Sequence, residues 1–366
     1  MKSKIVVVVY IFLIIFLGIY SYALIDPNLT LLSHPYWVMF RDPMVYLGYH
    51  MRQESALIYI VLLILLTIVH VALISNSKKI HPLALAVITG LILICSNPLF
   101  SHDLFSYIFD AKILTHYGQN PYTTIPGSFP GDEWLRFMHW THRSYRNGPT
   151  FLPLTLVPSF LGVGIFILNF MLFKAVFVGS YIIGVFLLQK IDKKGALFFA
   201  THPLVLIEGL VNAHNDMIAV SLGLVGVYLL FQKKQIVSRL FLVASAGIKY
   251  LSAPILILTR NNKTINTLAL LAQVALILYL SFTRGIQPWY FLPLFVFVPY
   301  FLNVLQNLHI FFFSLLLSYV PYIRYGDWNA QLLDMKHDIM IVGAAVNAVY
   351  FLYVYWPRLR GYLLRK

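Results

Sequence analysis

The stretch SALIYIVLLILLTIVHVALIS, residues 55–75, contains no Asp, Glu, Lys or Arg. A helix rises about 1.5 Å per residue, so a run of about 20 apolar residues crosses a ~30 Å hydrocarbon core. Similar runs recur at residues 5–25, 82–100, 166–188, 196–210, 217–231, 264–282, 289–302, 304–322 and 338–356. The composition agrees: 60% of the 366 residues are apolar and only 11% charged. Soluble domains carry about 25% charged residues, so this chain has too few to cover a water-facing surface. No Pro/Gly/Ser-rich or charged tract divides it, and no repeat of fixed period appears. The expectation is an all-α polytopic membrane protein with about 10–12 transmembrane helices, forming one integral domain over residues 1–366.

At the N-terminus, Ser21-Tyr22-Ala23 offers small residues suited to signal cleavage. The preceding apolar run exceeds the roughly 7–15 residues of a signal core, so an uncleaved first helix is expected. Two apolar stretches are irregular. Residues 151–163 contain Pro153 and Pro158, and residues 236–259 are interrupted by Gly247, Lys249 and Pro254. A broken helix at membrane depth needs protein or a wet cavity to satisfy its backbone, so the second stretch points to a cavity.

The net charge is +14, from 27 Lys and Arg against 13 Asp and Glu. The basic residues form short clusters between apolar runs rather than one stripe, which suits membrane orientation and gives no reason to expect a nucleic-acid partner. With both termini cytoplasmic and 236–259 a returning hairpin, 16 of the 27 basic residues fall inside. Of the acids, only Asp192 does so. A multi-pass protein of the cell (plasma) membrane is expected, with its chemistry on the extracytoplasmic side. The single cysteine, Cys95, rules out an internal disulfide framework.

Residues 96–150 form the one long polar segment. Within it, Leu104, Ile108, Ala111 and Leu114 recur at helical spacing, as in an amphipathic interfacial helix. Asp103 and Asp110 are seven apart, on one face and about 10 Å from each other. One suits a reaction centre and the other suits holding the helix. Helix capping by Ser101 or Asp103 is the plain alternative. Asp103, Asp110 and the adjacent His102 are the catalytic candidates. His139 and His142, near Asp132 and Glu133, have a spacing that could ligate a metal, but it matches no fuller zinc motif. No metal site is assigned, no cofactor is certain, and a divalent cation such as Mg or Mn is left open. Arg136, Arg143 and Arg146 with Tyr145 form a basic, aromatic edge able to hold a lipid phosphate or to anchor at the interface.

Further on, Asn212, His214, Asn215 and Asp216 crowd one turn, with Glu208 a turn earlier inside an apolar run. Ionisable groups in spans face protein or cavity interiors and mark function by default; the plain alternative is a polar reverse turn. Lys249 sits at the helix break, where it needs an anionic partner or must reach an interface. Lys174, in a clean apolar run, reads as structural. Gln287, Trp289 and Tyr290 close an outer turn that suits an aromatic belt or a platform for a sugar ring.

An ordered series of segments carries a family resemblance: SHDLFSYIFDAKILTHYGQNPY (101–122), YRNGPTFLPL (145–154), HPLVLIEGLVNAHND (202–216), GIKYLSAP (247–254) and QPWYFLP (287–293). The chain resembles the GT-C superfamily of membrane glycosyltransferases, in particular mannosyltransferase-like members that use polyprenyl-phosphate sugars. The resemblance implies an inverting transfer of mannose or another hexose from a polyprenyl-phosphate donor to a lipid-linked, glycan or protein acceptor at the outer face. Asp103 is then the general base, and Lys249 with Arg143 or Arg146 meets the leaving phosphate. Tyr145, Asn120, Tyr122, His214, Asp216, Glu208, Gln287, Trp289 and Tyr290 contact substrate. Members of this superfamily often place the key acid in the loop after the first helix, whereas Asp103 follows the third, so either two helices precede the family core or the acid lies in the earlier loop. Asp26, Asp42 and Glu54 in the 26–54 loop therefore stand as alternatives. A multi-pass transporter or flippase is the competing class, expected to show repeat symmetry and ionisable groups at the midplane. A membrane acyltransferase or ligase has no motif in its favour, and a purely structural subunit is the plainest alternative.

Overall fold

The computed structural model describes residues 2–27, 29, 31–32 and 34–363. Arg365 and Lys366, part of the basic set expected inside, lie outside the described residues. The first elements are α1 (Lys2–Tyr20), α2 (Pro35–Tyr49), α3 (Arg52–Ser75), α4 (Pro82–Leu93) and α5 (Asp103–Thr115). After the long loop come α6 (Phe151–Leu161), α7 (Phe166–Ile191) and α8 (Lys193–Thr201). Then follow α9 (Asp216–Phe231), α10 (Gln235–Ile248), α11 (Lys263–Arg284), α12 (Val298–Gln306), α13 (His309–Leu317), α14 (Val320–Tyr325) and α15 (Ala330–Leu363). No strand occurs among the described residues. The chain is an all-α polytopic membrane protein.

Five helices are long and apolar enough to cross a membrane alone: α3, α7, α11, the continuous Pro288–Gln306 segment and α15. A sixth span is bent, α8 and Val205–Val211 meeting at 64°. Shorter apolar helices of 10–17 residues, α4, α6, α9 and α10 among them, fill the bundle. The outward sides carry large apolar groups, such as Phe282 at 88% and Ile236 and Tyr353 at 80% exposure. Such a surface is suited to lipid rather than water.

Local chemistry sets the breaks. Pro82 opens α4, where its missing N–H costs nothing. Asp192 caps α8, accepting from the amides of Lys194 and Gly195. His202-Pro203 ends α8, and the chain then winds as a π-helix over Val205–Val211. Residue 250 onward is a tight 3-10 stretch, Tyr250–Ile257, in place of a second full helix after α10. The run expected at 82–100 stops helically at Leu93, whose carbonyl accepts from both the amide and the hydroxyl of Ser96 in a turn.

The 26–54 segment, expected as a loop, contains α2. Pro35 sits in its first turn, and His34 accepts from the Tyr36 amide. Gly48 lets α2 press on the end of α1, where a Cβ would stand 1.5 Å from the Ala23 carbonyl oxygen. The long loop holds a small cluster of its own, Phe109, Ile113 and Met138 packed with Trp134 and Phe129. Lys112 pins it, bonded to Asp132 at 2.5 Å and lying 3.7 Å from the Trp134 ring centre. Helix α5 is thus buried along the face of Leu104, Ile108 and Ala111, and again beneath this cluster.

Candidate active site

Helix α5 brings Asp103, Ser106, Tyr107 and Asp110 to one side, as their spacings of three, four and seven require. These four help line a cavity of about 200 Å3. Its other walls are Met138, Trp140, Arg143, Ser144, Arg146 and Asn147 from the long loop, Asn215 from the turn before α9, and Lys249 from the break after α10.

Two glycines allow that assembly. The Gly148 amide donates to the Ile248 carbonyl at 3.0 Å, and Thr150 N donates to Gly247 O at 3.1 Å. A Cβ on Gly148 would lie 2.0 Å from Gly247 O, and one on Gly247 would lie 2.3 Å from Thr150 Oγ1. Only glycine permits this approach, which sets Arg146 and Asn147 beside Lys249.

Behind the cavity runs a buried row of charge. The Asp103 carboxylate stands 3.2 Å from His214 Nδ1, and His214 Nε2 stands 3.3 Å from Glu208 Oε2. Asp103 is the open end, with 37% of its side chain exposed, while Glu208 is fully buried. Glu208 lies on the π-helical turn, a rare winding that concentrates at functional sites. Asn212 holds the row in place. Its amide donates to Glu208 at 3.0 Å, and its oxygen accepts from the amides of Leu99 and Phe100. Ala213 adopts a left-handed backbone (φ 55°), which turns the chain so that His214 points back toward Asp103.

Burial disfavours charge on His214, but hydrogen bonds and charges from Asp103 and Glu208 outweigh it and raise its pKa to about 9. Burial is the largest single influence on Asp103 and pushes it up, yet His214, Lys249 and Tyr107 together outweigh it and hold this carboxyl below the ordinary range. Asp110, buried and facing the Asp103 charge, is pushed up to about 8 and is a neutral acid at pH 7. Lys249 forms an ion pair with the fully buried Asp216 while its other side lines the cavity. Tyr107 reaches Asp103 at 3.5 Å, and Asn147 accepts from the Asn215 amide at 2.8 Å.

Not every sequence candidate reaches this cavity. His102, expected beside the reacting acid, turns instead toward Asp26, Asn97 and Phe137 and meets the tilted ring of His139, with ring centres 3.9 Å apart. His102 is the N-cap residue just before α5, with non-helical dihedrals (φ −99°, ψ 8°), so its side chain does not follow the helix face that carries Asp103. Glu208 and Asp216 stand behind the walls as partners of His214 and Lys249 rather than as lining. Trp289 lies against the His214 ring at 4.3 Å, and Tyr290 packs edge-on to Trp289. Gln287 accepts from the buried Lys336 at 2.7 Å. Asn120 and Tyr122 lie exposed on the loop, where Tyr122 packs edge-on to the buried Tyr145 and so supports the wall between Arg143 and Arg146. Asp42 pairs with its neighbour Arg41, Glu54 is exposed at the start of α3, and neither lines the cavity. No group of three or more His, Cys, Asp or Glu with metal-holding geometry occurs among the described residues, so His139, His142, Asp132 and Glu133 form no such cluster.

The cavity also takes in Ser106, Tyr107, Trp140 and Asn147, none of them a site candidate from the sequence. Tyr107 was accessible by rule, since it lies four residues after Asp103 on a helix. Asn147 had no local signal, because its partner Asn215 is 68 residues away.

Fold and site together define a multi-pass membrane protein whose cavity-facing acid is backed by buried charge and faced by a set of cations. The chain belongs to the alpha-(1->6)-mannopyranosyltransferase family, whose N-terminal-domain model matches residues 13–260. That range holds every residue lining the cavity, and the family makes the chain a membrane glycosyltransferase. No curated protein and no solved structure matches it.

Proposed function

We propose that this protein is a GT-C type enzyme that moves mannose from a polyprenyl-phosphate donor to a hydroxyl of a lipid-linked, glycan or protein acceptor. The observation that carries the reading is one cavity shared by the open carboxylate of Asp103 and the cations Arg143, Arg146 and Lys249. The acceptor hydroxyl gives its proton to Asp103 as its oxygen bonds to the sugar's anomeric carbon. The bond from that carbon to the phosphate oxygen breaks on the opposite side, inverting the centre. The leaving polyprenyl phosphate carries the new negative charge, which the two guanidinium groups and the ammonium meet.

His214 holds Asp103 in place from behind, and neutral Asp110 offers an O–H to a sugar oxygen across the cavity. A volume of about 200 Å3 suits one monosaccharide, with the phosphate at the mouth. The lipid tail lies along the break at Lys249–Ile257, where the helix gives way to a 3-10 stretch. The whole chain acts as one integral domain of the cell membrane. Both termini are cytoplasmic, because most of the basic clusters then lie inside. No cofactor enters these steps, and a requirement for Mg or Mn is decided by chelation in the same assay.

The test is transfer from a labelled polyprenyl-phosphate mannose by the purified chain in lipid vesicles. Asp103→Asn is expected to abolish transfer with the thermal unfolding profile unchanged. Full activity in that variant refutes the assignment of the base. Movement of label across the vesicle membrane without donor turnover refutes the enzyme reading.

A further inference from the structure

Helix α9 joins two cavities. Asn215, just before its first turn, lines the Asp103 cavity, and its last residue, Phe231, lines a second one of about 790 Å3. Sixteen helical residues separate them, about 24 Å, so the second cavity lies near the opposite end of the bundle. It opens between the α7–α8 junction, the start of α11, helix α12 and Tyr355 of α15.

Its chemistry is two-sided. Arg260, Asn261 and Lys263 supply two cations and an amide, while Phe231, Phe301 and Leu302 supply apolar walls. Asp192 is the one carboxylate in the lining, and both its oxygens are taken by the amides of Lys194 and Gly195. Neither Arg260 nor Lys263 has a carboxylate within ion-pair distance among the described residues. Tyr300 lines the cavity, and its hydroxyl is buried without a hydrogen-bond partner. Helix α12 is kinked at Phe301 (φ −134°, ψ 34°) beside it. The N-terminus of α11, a helix of 22 residues opening at Lys263, adds its own partial positive charge.

Unpaired cations at the polar end of an apolar recess, at the level where helices leave the membrane, are complementary to a phosphate carried on acyl chains. We propose that this cavity binds the phosphate headgroup of an anionic phospholipid, with Arg260 forking its oxygens and its chains lying against Phe231 and Phe301. The site is independent of the transfer chemistry, since no residue of the Asp103 cavity takes part.

The experiment uses the full chain in phosphatidylcholine nanodiscs, titrated with phosphatidylglycerol, with inorganic phosphate in a parallel arm. Bound lipid is counted by native mass spectrometry after release into detergent. One phosphatidylglycerol is expected to be retained. Arg260→Ala with Lys263→Ala is expected to weaken its binding roughly 25-fold, about a factor of 5 for each cation. The exposed single variant Lys263→Ala, which leaves the packing intact, is expected to lose about a factor of 5 on the same scale. Equal retention by the variants and the parent chain overturns the proposal. So does displacement of the lipid by inorganic phosphate alone, which would mark a site for the free anion.

Discussion

Exchanging Glu208 for Gln probes the buried row of charge behind Asp103. His214 is raised from 6.5 to about 9 in the folded chain. A histidine raised on folding stabilises the native state fully below its unfolded value, and that contribution is lost as pH rises through the folded value. The window therefore runs from about pH 6.5 to 9, and the shift corresponds to roughly 3 kcal/mol at the acid end. Asp103 and Glu208 both raise the shift, Asp103 the more. Gln at 208 keeps the side-chain volume and an oxygen for Asn212 but removes one of the two charges. The variant is expected to lose about 1–2 kcal/mol at pH 6, or a few degrees of unfolding temperature, and little at pH 9.5. Intrinsic-fluorescence melting in detergent across pH 5.5–9.5 reads this directly. Melting curves that stay parallel across the whole range, or a gap that widens with pH, would refute the placement of an imidazolium between two carboxylates.

Other outcomes follow from the same geometry. Gly148→Ala sets a methyl group 2.0 Å from the Gly247 carbonyl. It is expected to cost about 1–3 kcal/mol in melting experiments, as overpacking does, and to remove activity with it. Lys249→Met leaves Asp216 buried without its cation, a loss of about 3–5 kcal/mol. Adding Asp216→Asn is expected to restore the melting temperature but not transfer, because on the proposed mechanism the leaving phosphate still lacks its ammonium. The transfer rate is expected to fall as pH rises through about 8, where Asp110 ionises. Asp110→Asn, fixed as a neutral donor, should flatten that limb of the pH–rate profile.

The sequence exposes the parts of this structure that rest on local pattern. Residues 55–75 fall within α3 apart from its first turn, because an uninterrupted apolar run has no other way to satisfy its backbone in lipid. The Asp103–Asp110 face was legible from helical spacing alone. Helix α2 was hidden, since Arg41, Asp42 and Pro43 interrupt its apolar pattern in mid-helix. The ion pair of Asp216 with Lys249 joins residues 33 apart, so neither its existence nor its place could be read locally. His102 misled for the opposite reason: adjacency in sequence suggested a shared site, but the helix begins at Asp103, and the non-helical backbone of His102 sends its side chain elsewhere. Trp289 had the composition of a sugar platform, but its position against His214 depends on the bend at His202-Pro203 some 86 residues earlier in the chain.

Lys174 was read as structural. Its fully buried ammonium donates to the Ser96 hydroxyl at 2.9 Å and to the carbonyls of Leu210 and Val211. With three protons and three acceptors, it works as a rivet through the segment before α5 and the end of the π-helical turn. Lys174 thereby ties the segment that leads into α5 to the end of the turn that carries Glu208. A substitution here can silence the enzyme without touching any group that meets the sugar. In a survey of inactive variants it would imitate an active-site mutant, and only the melting curve would tell them apart.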